Sequence, residues 1–108
     1  MSLVFLGTAG MVPTKERNVQ SLYMEHKGEG MLLDCGEGTQ RQLTLAGISA
    51  HKIKKILISH WHGDHVAGLT GLLQTIGNFT SEEEKTITLY GPRGSQAFMD
   101  HLYQACVF

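Results

Sequence analysis

The stretch Ser59-His60-Trp61-His62-Gly63-Asp64-His65 constrains this chain more than any other. It follows the apolar, β-branched run Ile56-Leu57-Ile58 and precedes Val66-Ala67-Gly68-Leu69. An apolar run broken by a polar cluster reads as a buried strand ending in a loop. Leu69, Leu72, Leu73 and Ile76 then recur at helical spacing, so a helix is expected next. Side chains two apart in extended chain point the same way, which lets His60 and His62 grip one ion. Asp64 and His65, at the turn into the helix, face a second point. Imidazole with carboxylate suits zinc, or a comparable divalent metal such as manganese. The alternative is a surface loop that holds these residues by chance. Four ligand-type side chains within six positions argue against it.

At 108 residues the chain is at most one domain. A formal net charge of −1 excludes a generally basic coat, so any contact with nucleic acid has to come from local patches. Two cysteines, Cys35 and Cys106, make no disulfide framework, and a reducing compartment is expected. No apolar stretch approaches membrane-spanning length, and Met1-Ser2-Leu3 opens no charged-then-apolar leader. The expectation is a cytoplasmic protein with no membrane partner.

Leu3-Val4-Phe5-Leu6 reads as a strand, followed by an irregular Gly- and Pro-containing loop to Asn18. Val19 to His26 and Met31-Leu32-Leu33 read as strands joined by the turn Lys27-Gly28-Glu29-Gly30. Thr39 to Ala46 suits a helix closed by Gly47, with Leu43 and Ala46 inward. Thr80 to Lys85 reads as a solvated connection, and Thr86 to Tyr90 as another strand. Ser95 is a candidate N-cap for a helix whose apolar stripe is Phe98, Leu102 and Ala105. The chain ends at Ala105-Cys106-Val107-Phe108, with no glycine stop and no polar tail, which reads as a cut. Early strands in hairpin order, then strand–helix–strand–helix, describe a mixed α/β layer.

The His-x-His-x-Asp-His cluster resembles the signature of the metallo-β-lactamase fold superfamily. Three further stretches resemble one of its families, ribonuclease Z, the tRNA 3′-processing endoribonucleases. These are Gly7 to Asn18, which carries a Pro-x-Lys-x-Arg-Asn loop at Pro13 to Asn18, Leu33 to Gln40, and Leu89 to Gly94. The resemblance implies the α/β fold of that superfamily, an αββα sandwich, with residues 1–108 as its N-terminal half and the C-terminal half absent. It implies a zinc phosphodiesterase with two divalent ions, held here by His60, His62, Asp64 and His65. Asp64 would also orient and deprotonate water, and so act catalytically.

Asp34, at the end of a strand, is then expected to hydrogen-bond a metal-binding histidine and fix its tautomer. Lys15, Arg17 and Asn18 are expected to meet precursor tRNA, the two cations through phosphates. His26, His51 and His101 match no ligand position, and Trp61 is expected to pack beside the site.

The family's remaining ligands have no counterpart here, so each metal has two candidate donors where a catalytic zinc normally has three. The separate chain is therefore expected to be inactive. Homo-oligomers are expected too, since the family is typically dimeric and Ile56-Leu57-Ile58 with the last helix are expected to leave apolar surface open. Two other readings stay open: a non-catalytic metal- or RNA-binding half-domain, and another hydrolase of the same fold.

Overall fold

Period-two alternation along the strands decides which side of the sheet becomes core. In the computed structural model, which describes residues 1–10, 12–78 and 86–105, five strands form one sheet in the order β1 to β5. They are β1 (Ser2–Gly7), β2 (Ser21–His26), β3 (Glu29–Leu33), β4 (Ile53–Leu57) and β5 (Thr88–Tyr90). The first three pair antiparallel, and β3, β4 and β5 run parallel, so the sheet is mixed. The β2–β3 hairpin closes through Lys27 and Gly28 alone, whereas each parallel step needs a crossover, and those crossovers carry helices. One such helix is α1 (Thr39–Leu45), between β3 and β4; α2 (Gly63–Val66) and α3 (Leu69–Asn78) lie between β4 and β5, and α4 (Ser95–Ala105) follows.

Leu6, Tyr23, Leu32 and Ile56 fill the covered face of the sheet, in one cluster with Leu43 of α1 and Leu69, Leu72 and Ile76 of α3. The stripe expected of the helix after the metal cluster is thus the stripe that packs. Each fully buried aliphatic side chain contributes about 1.5–3 kcal/mol relative to exposure, so this face supplies most of the cohesion. The α/β class and mixed layer expected from the sequence are both found.

The opposite face is different. Two rows cross it in register: Phe5, Leu22, Leu33, Leu57 and Tyr90, and beside them Leu3, Met24, Met31, Lys55 and Thr88. None of them is buried and none joins the core cluster. Of the run Ile56-Leu57-Ile58, expected to leave apolar surface open, Ile56 and Ile58 point into the core, at 0% and 4% exposure. The period of two explains this: Leu57, between them, is the residue of the run that turns to the open face.

Local differences have local causes. Ala46 is exposed, because α1 ends at Leu45 and the chain turns through Gly47 at φ 75°, which brings Ile48 against the core in its place. In α4 the residue packed on the core is Met99, while Phe98 and Ala105 are exposed. Ser95 is the first residue of α4 and no N-cap: its hydroxyl donates to the Pro92 carbonyl at 2.7 Å and accepts the Trp61 indole N–H at 2.8 Å. Trp61 also stacks on Phe98, with ring centroids 5.1 Å apart, which sets the rotation of the helix and confirms packing as the role of Trp61. The connection expected at Thr80 to Lys85 and the tail Cys106-Val107-Phe108 lie outside the described residues.

Candidate metal centre

The site starts from Asp34, one residue past β3. Its N–H donates to the Leu57 carbonyl at 2.7 Å, adding a last rung to the parallel ladder. The backbone then turns into the left-handed region, at φ 61°. Aspartate tolerates that conformation better than most residues, at a cost of order 1–2 kcal/mol. The turn aims the carboxylate at the end of β4, where it accepts three donors. The Ser59 N–H lies 2.8 Å from Oδ1, the Ser59 hydroxyl 2.9 Å from Oδ2, and His65 Nδ1 2.7 Å from Oδ2. Hydrogen bonds to an ionised acceptor are roughly twice as strong as neutral ones, which offsets the backbone strain.

Hydrogen bookkeeping then fixes both rings. Asp34 is an acceptor, so His65 carries its hydrogen on Nδ1 and presents the Nε2 lone pair. The single Ser59 hydroxyl hydrogen goes to Asp34. The contact between Ser59 Oγ and His60 Nδ1, at 3.0 Å, therefore has the ring donating, and His60 also presents Nε2.

Beyond His65 Nε2 lies Asp64 Oδ2, at 3.1 Å. A neutral imidazole has one ring hydrogen, so His65 between two carboxylates satisfies Asp34 and meets Asp64 with a lone pair. A second proton or a cation between them resolves this. Donors sharing one tetrahedral zinc at about 2.0–2.1 Å lie about 3.3–3.4 Å apart, close to the observed separation. The chemistry of the pair fits a divalent cation.

The other rings are adjacent. His60 and His62 have centroids 4.7 Å apart, and His60 and His65 3.9 Å apart. Among the described residues, however, no three His, Cys, Asp or Glu side chains are arranged to hold one ion. The fold gathers the three rings and Asp64 in one cluster, with His60 nearer to His65 than to His62.

Close backbone packing holds the cluster against the end of β3. Cys35 N–H donates to the His65 carbonyl at 2.7 Å, and Gly68 N–H to the Cys35 carbonyl at 2.9 Å. A Cβ at Gly68 would collide with the Gly36 carbonyl, so only glycine lets the turn between α2 and α3 come this near. His62 and Asp64 line a cavity of about 570 Å3 with Val19, Glu37, Gly63 and Ala67. Ser59 and Glu37 were not singled out in the sequence. The signal for Ser59 was its place directly before His60; Glu37 had none beyond its acidic side chain.

Lys15 and Arg17 are exposed on a tight turn, in which Thr14 N–H donates to the Arg17 carbonyl at 2.7 Å and Arg17 N–H to Thr14 Oγ1 at 2.9 Å. Asn18 is half-buried, and its side-chain amide donates to the Glu37 carbonyl at 2.7 Å. His26, His51 and His101 sit on β2, on the 3-10 turn Ala50–Lys52 and on α4, apart from the cluster.

With this geometry in hand, a family model described as anti-Pycsar protein Apyc1 is found to match residues 1–106. The chain belongs to that family. The chain is also 53% identical over 92 residues to a ribonuclease Z of Methanococcus aeolicus, covering 85% of this chain and 28% of that protein. It is 44% identical over all 108 residues to one of Pyrococcus horikoshii, covering 34% of the relative. Among solved structures, human tRNase Z, short form, superposes with a TM-score of 0.89 at 40% identity, over 97% of this chain and 40% of that one. The metallo-β-lactamase fold protein YhfI of Bacillus subtilis follows at 0.78 and 24% identity, over 93% and 41%, and speaks for the fold. The resemblance to ribonuclease Z and the metallo-β-lactamase fold read from the sequence is thereby borne out. The chain spans about a third of the length of the curated relatives it matches.

Cys35 lies beside the cluster but supplies no ligand. Its thiol is fully buried and is pushed up to about 12, first by burial, against a partly offsetting hydrogen bond with Thr39. The thiolate is the reactive form, so in a Cys106→Ser background Cys35 should resist a thiol reagent at pH 8 until the chain is unfolded by denaturant. The protonated thiol's contribution to stability is full below the unfolded value near 9 and is lost as pH rises toward about 12. Rapid native-state labelling at pH 8 would contradict this burial argument.

Proposed function

We propose that this chain is the N-terminal part of a metal-dependent endoribonuclease that removes the 3′ trailer from precursor tRNA. Residues 1–108 are then a partial metallo-β-lactamase-like domain. The observation that carries the reading is His65 held between Asp34 and Asp64, beside a cavity that His62 and Asp64 line, within a sequence 44% identical throughout to a ribonuclease Z. The cytoplasm goes with this substrate, and no helix among the described residues is long and apolar enough to cross a membrane.

In this reading His60 and His62 hold one divalent ion, Asp64 and His65 the other, and zinc suits the donor set. Zinc, when bound, supplies Lewis-acid stabilisation of charge on phosphate oxygens and lowers the pKa of water to about 7. The protein's own groups do the rest. Asp34 and Ser59 hold the two rings with Nε2 forward, and Asp64 accepts the proton of an attacking water. Lys15 and Arg17 bind phosphates of the RNA. A non-catalytic metal- or RNA-binding half-domain is favoured by one observation, the lack of a three-donor group among the described residues. Chelator-sensitive cleavage of precursor tRNA decides between the two: a dispersed 108-residue chain is expected to be inactive and to gain activity on mixing with the rest of a relative's domain.

Zinc titration against a chromophoric chelator tests the metal assignment without turnover. Weak binding is expected in the native chain, and Asp34→Asn, which keeps the size and tolerates the left-handed backbone, should weaken it about 10–100-fold. Equal affinity in both proteins would remove Asp34 from the support of the site.

Precursor-tRNA binding measured across a salt series tests the cationic turn. Lys15→Ala/Arg17→Ala should lower affinity and flatten the slope of log K against log salt by about 1–2, since fewer counterions are released. An unchanged slope would take both residues off the RNA.

We propose also that the separate chain self-associates through its open sheet face. Strands about 4.8 Å apart and about 17 Å long give this face a footprint of about 400 Å2, which Lys55 and Thr88 share with the apolar side chains; apolar patches of a few hundred Å2 are often functional. Light scattering should find dimers or larger species, which Phe5→Glu disperses. A native monomer at working concentration would end this proposal.

A further inference from the structure

We infer that Asn18 is a positioning residue, a latch that fixes the Lys15/Arg17 turn to the wall of the metal centre. Its amide donates to the Glu37 carbonyl at 2.7 Å, across nineteen positions of sequence. The strand side of the same residue is tied as well, since Ala9 N–H donates to the Asn18 carbonyl at 2.8 Å. The surface that receives the amide is shaped for it. Gly38 stands at φ 79°, and a Cβ there would come within 3.1 Å of Asn18 Oδ1, so glycine both makes the turn and leaves room for the side chain.

The receiving turn touches the metal cluster directly. A Cβ at Gly36 would lie 2.5 Å from the Asp64 carbonyl, and Gly36 N–H donates to the Gln20 carbonyl at 3.3 Å. Glu37 and Asp64 line the same cavity. Contact therefore runs from the cationic turn through Asn18 to Glu37, and through Gly36 to Asp64. One amide hydrogen of Asn18 is given to Glu37, and the function of that bond is to hold two phosphate-binding cations in register with the atoms that would cleave the strand.

This rests on the RNA-binding reading above, so the experiment has two independent arms. Amide hydrogen exchange without RNA comes first. In Asn18→Ala, and in Asn18→Asp, which turns an oxygen toward the Glu37 carbonyl, the Ala9 and Arg17 amides should exchange faster while those of β4 keep their protection. Unchanged exchange at Ala9 and Arg17 would overturn the latch. The second arm is a double-mutant cycle on precursor-tRNA affinity. Asn18→Ala should weaken binding about 2–10-fold, the range of one hydrogen bond, and should add nothing in the Lys15→Ala/Arg17→Ala background. An equal loss in both backgrounds would make Asn18 an RNA contact and overturn the proposal. Absence of any tRNA binding by the native chain would overturn the RNA reading, with the exchange arm still deciding whether the latch exists.

Discussion

The arrangement depends on one buried carboxylate. Asp34 takes the last β3–β4 rung with its N–H, receives the Ser21 hydroxyl on its carbonyl at 3.0 Å, and turns its side chain onto Ser59 and His65. It thus joins three strands to the turn that carries the candidate metal donors. Its charge is tolerated at 9% exposure because three hydrogen bonds reach it. Removing the charge takes away the acceptor that fixes His65 directly and His60 through Ser59.

The two faces of the sheet divide the labour. The covered face, packed by α1 and α3, keeps the ends of β3 and β4 rigid, and rigid elements are what hold a metal site to useful precision. The open face contributes nothing to that cluster. Its Leu, Phe, Met and Tyr side chains are left half-buried or exposed. Candidate metal donors thus gather at the end of the sheet, while apolar surface is left on its back.

Much of this was legible in the sequence because it is local. The spacing of His60, His62, Asp64 and His65 after an apolar run gave a strand, a loop and a donor cluster, and the helix stripe at Leu69, Leu72 and Ile76 packs as its period requires. Helix and strand periods need only neighbours in sequence, and so do metal-ligand spacings. At α4 sequence and structure differ because a long-range contact intervenes. The rotation of α4 is set by Trp61 stacking on Phe98 and bonding Ser95, thirty-four positions away.

Tertiary structure alone decided which carboxylate serves which ring. That His65 lies between Asp34 and Asp64, that Ser59 passes the constraint to His60, and that Asn18 grips Glu37 all depend on chain crossings of nineteen to thirty-one residues. It also decided which apolar residues are left open: Leu57 alone of the run Ile56-Leu57-Ile58, together with Phe5. Composition and spacing fix what a segment can become and which ions it can hold. Which side chains finally meet is fixed by sheet register and loop closure, because a one-residue change in register exchanges every inward and outward side chain of a strand.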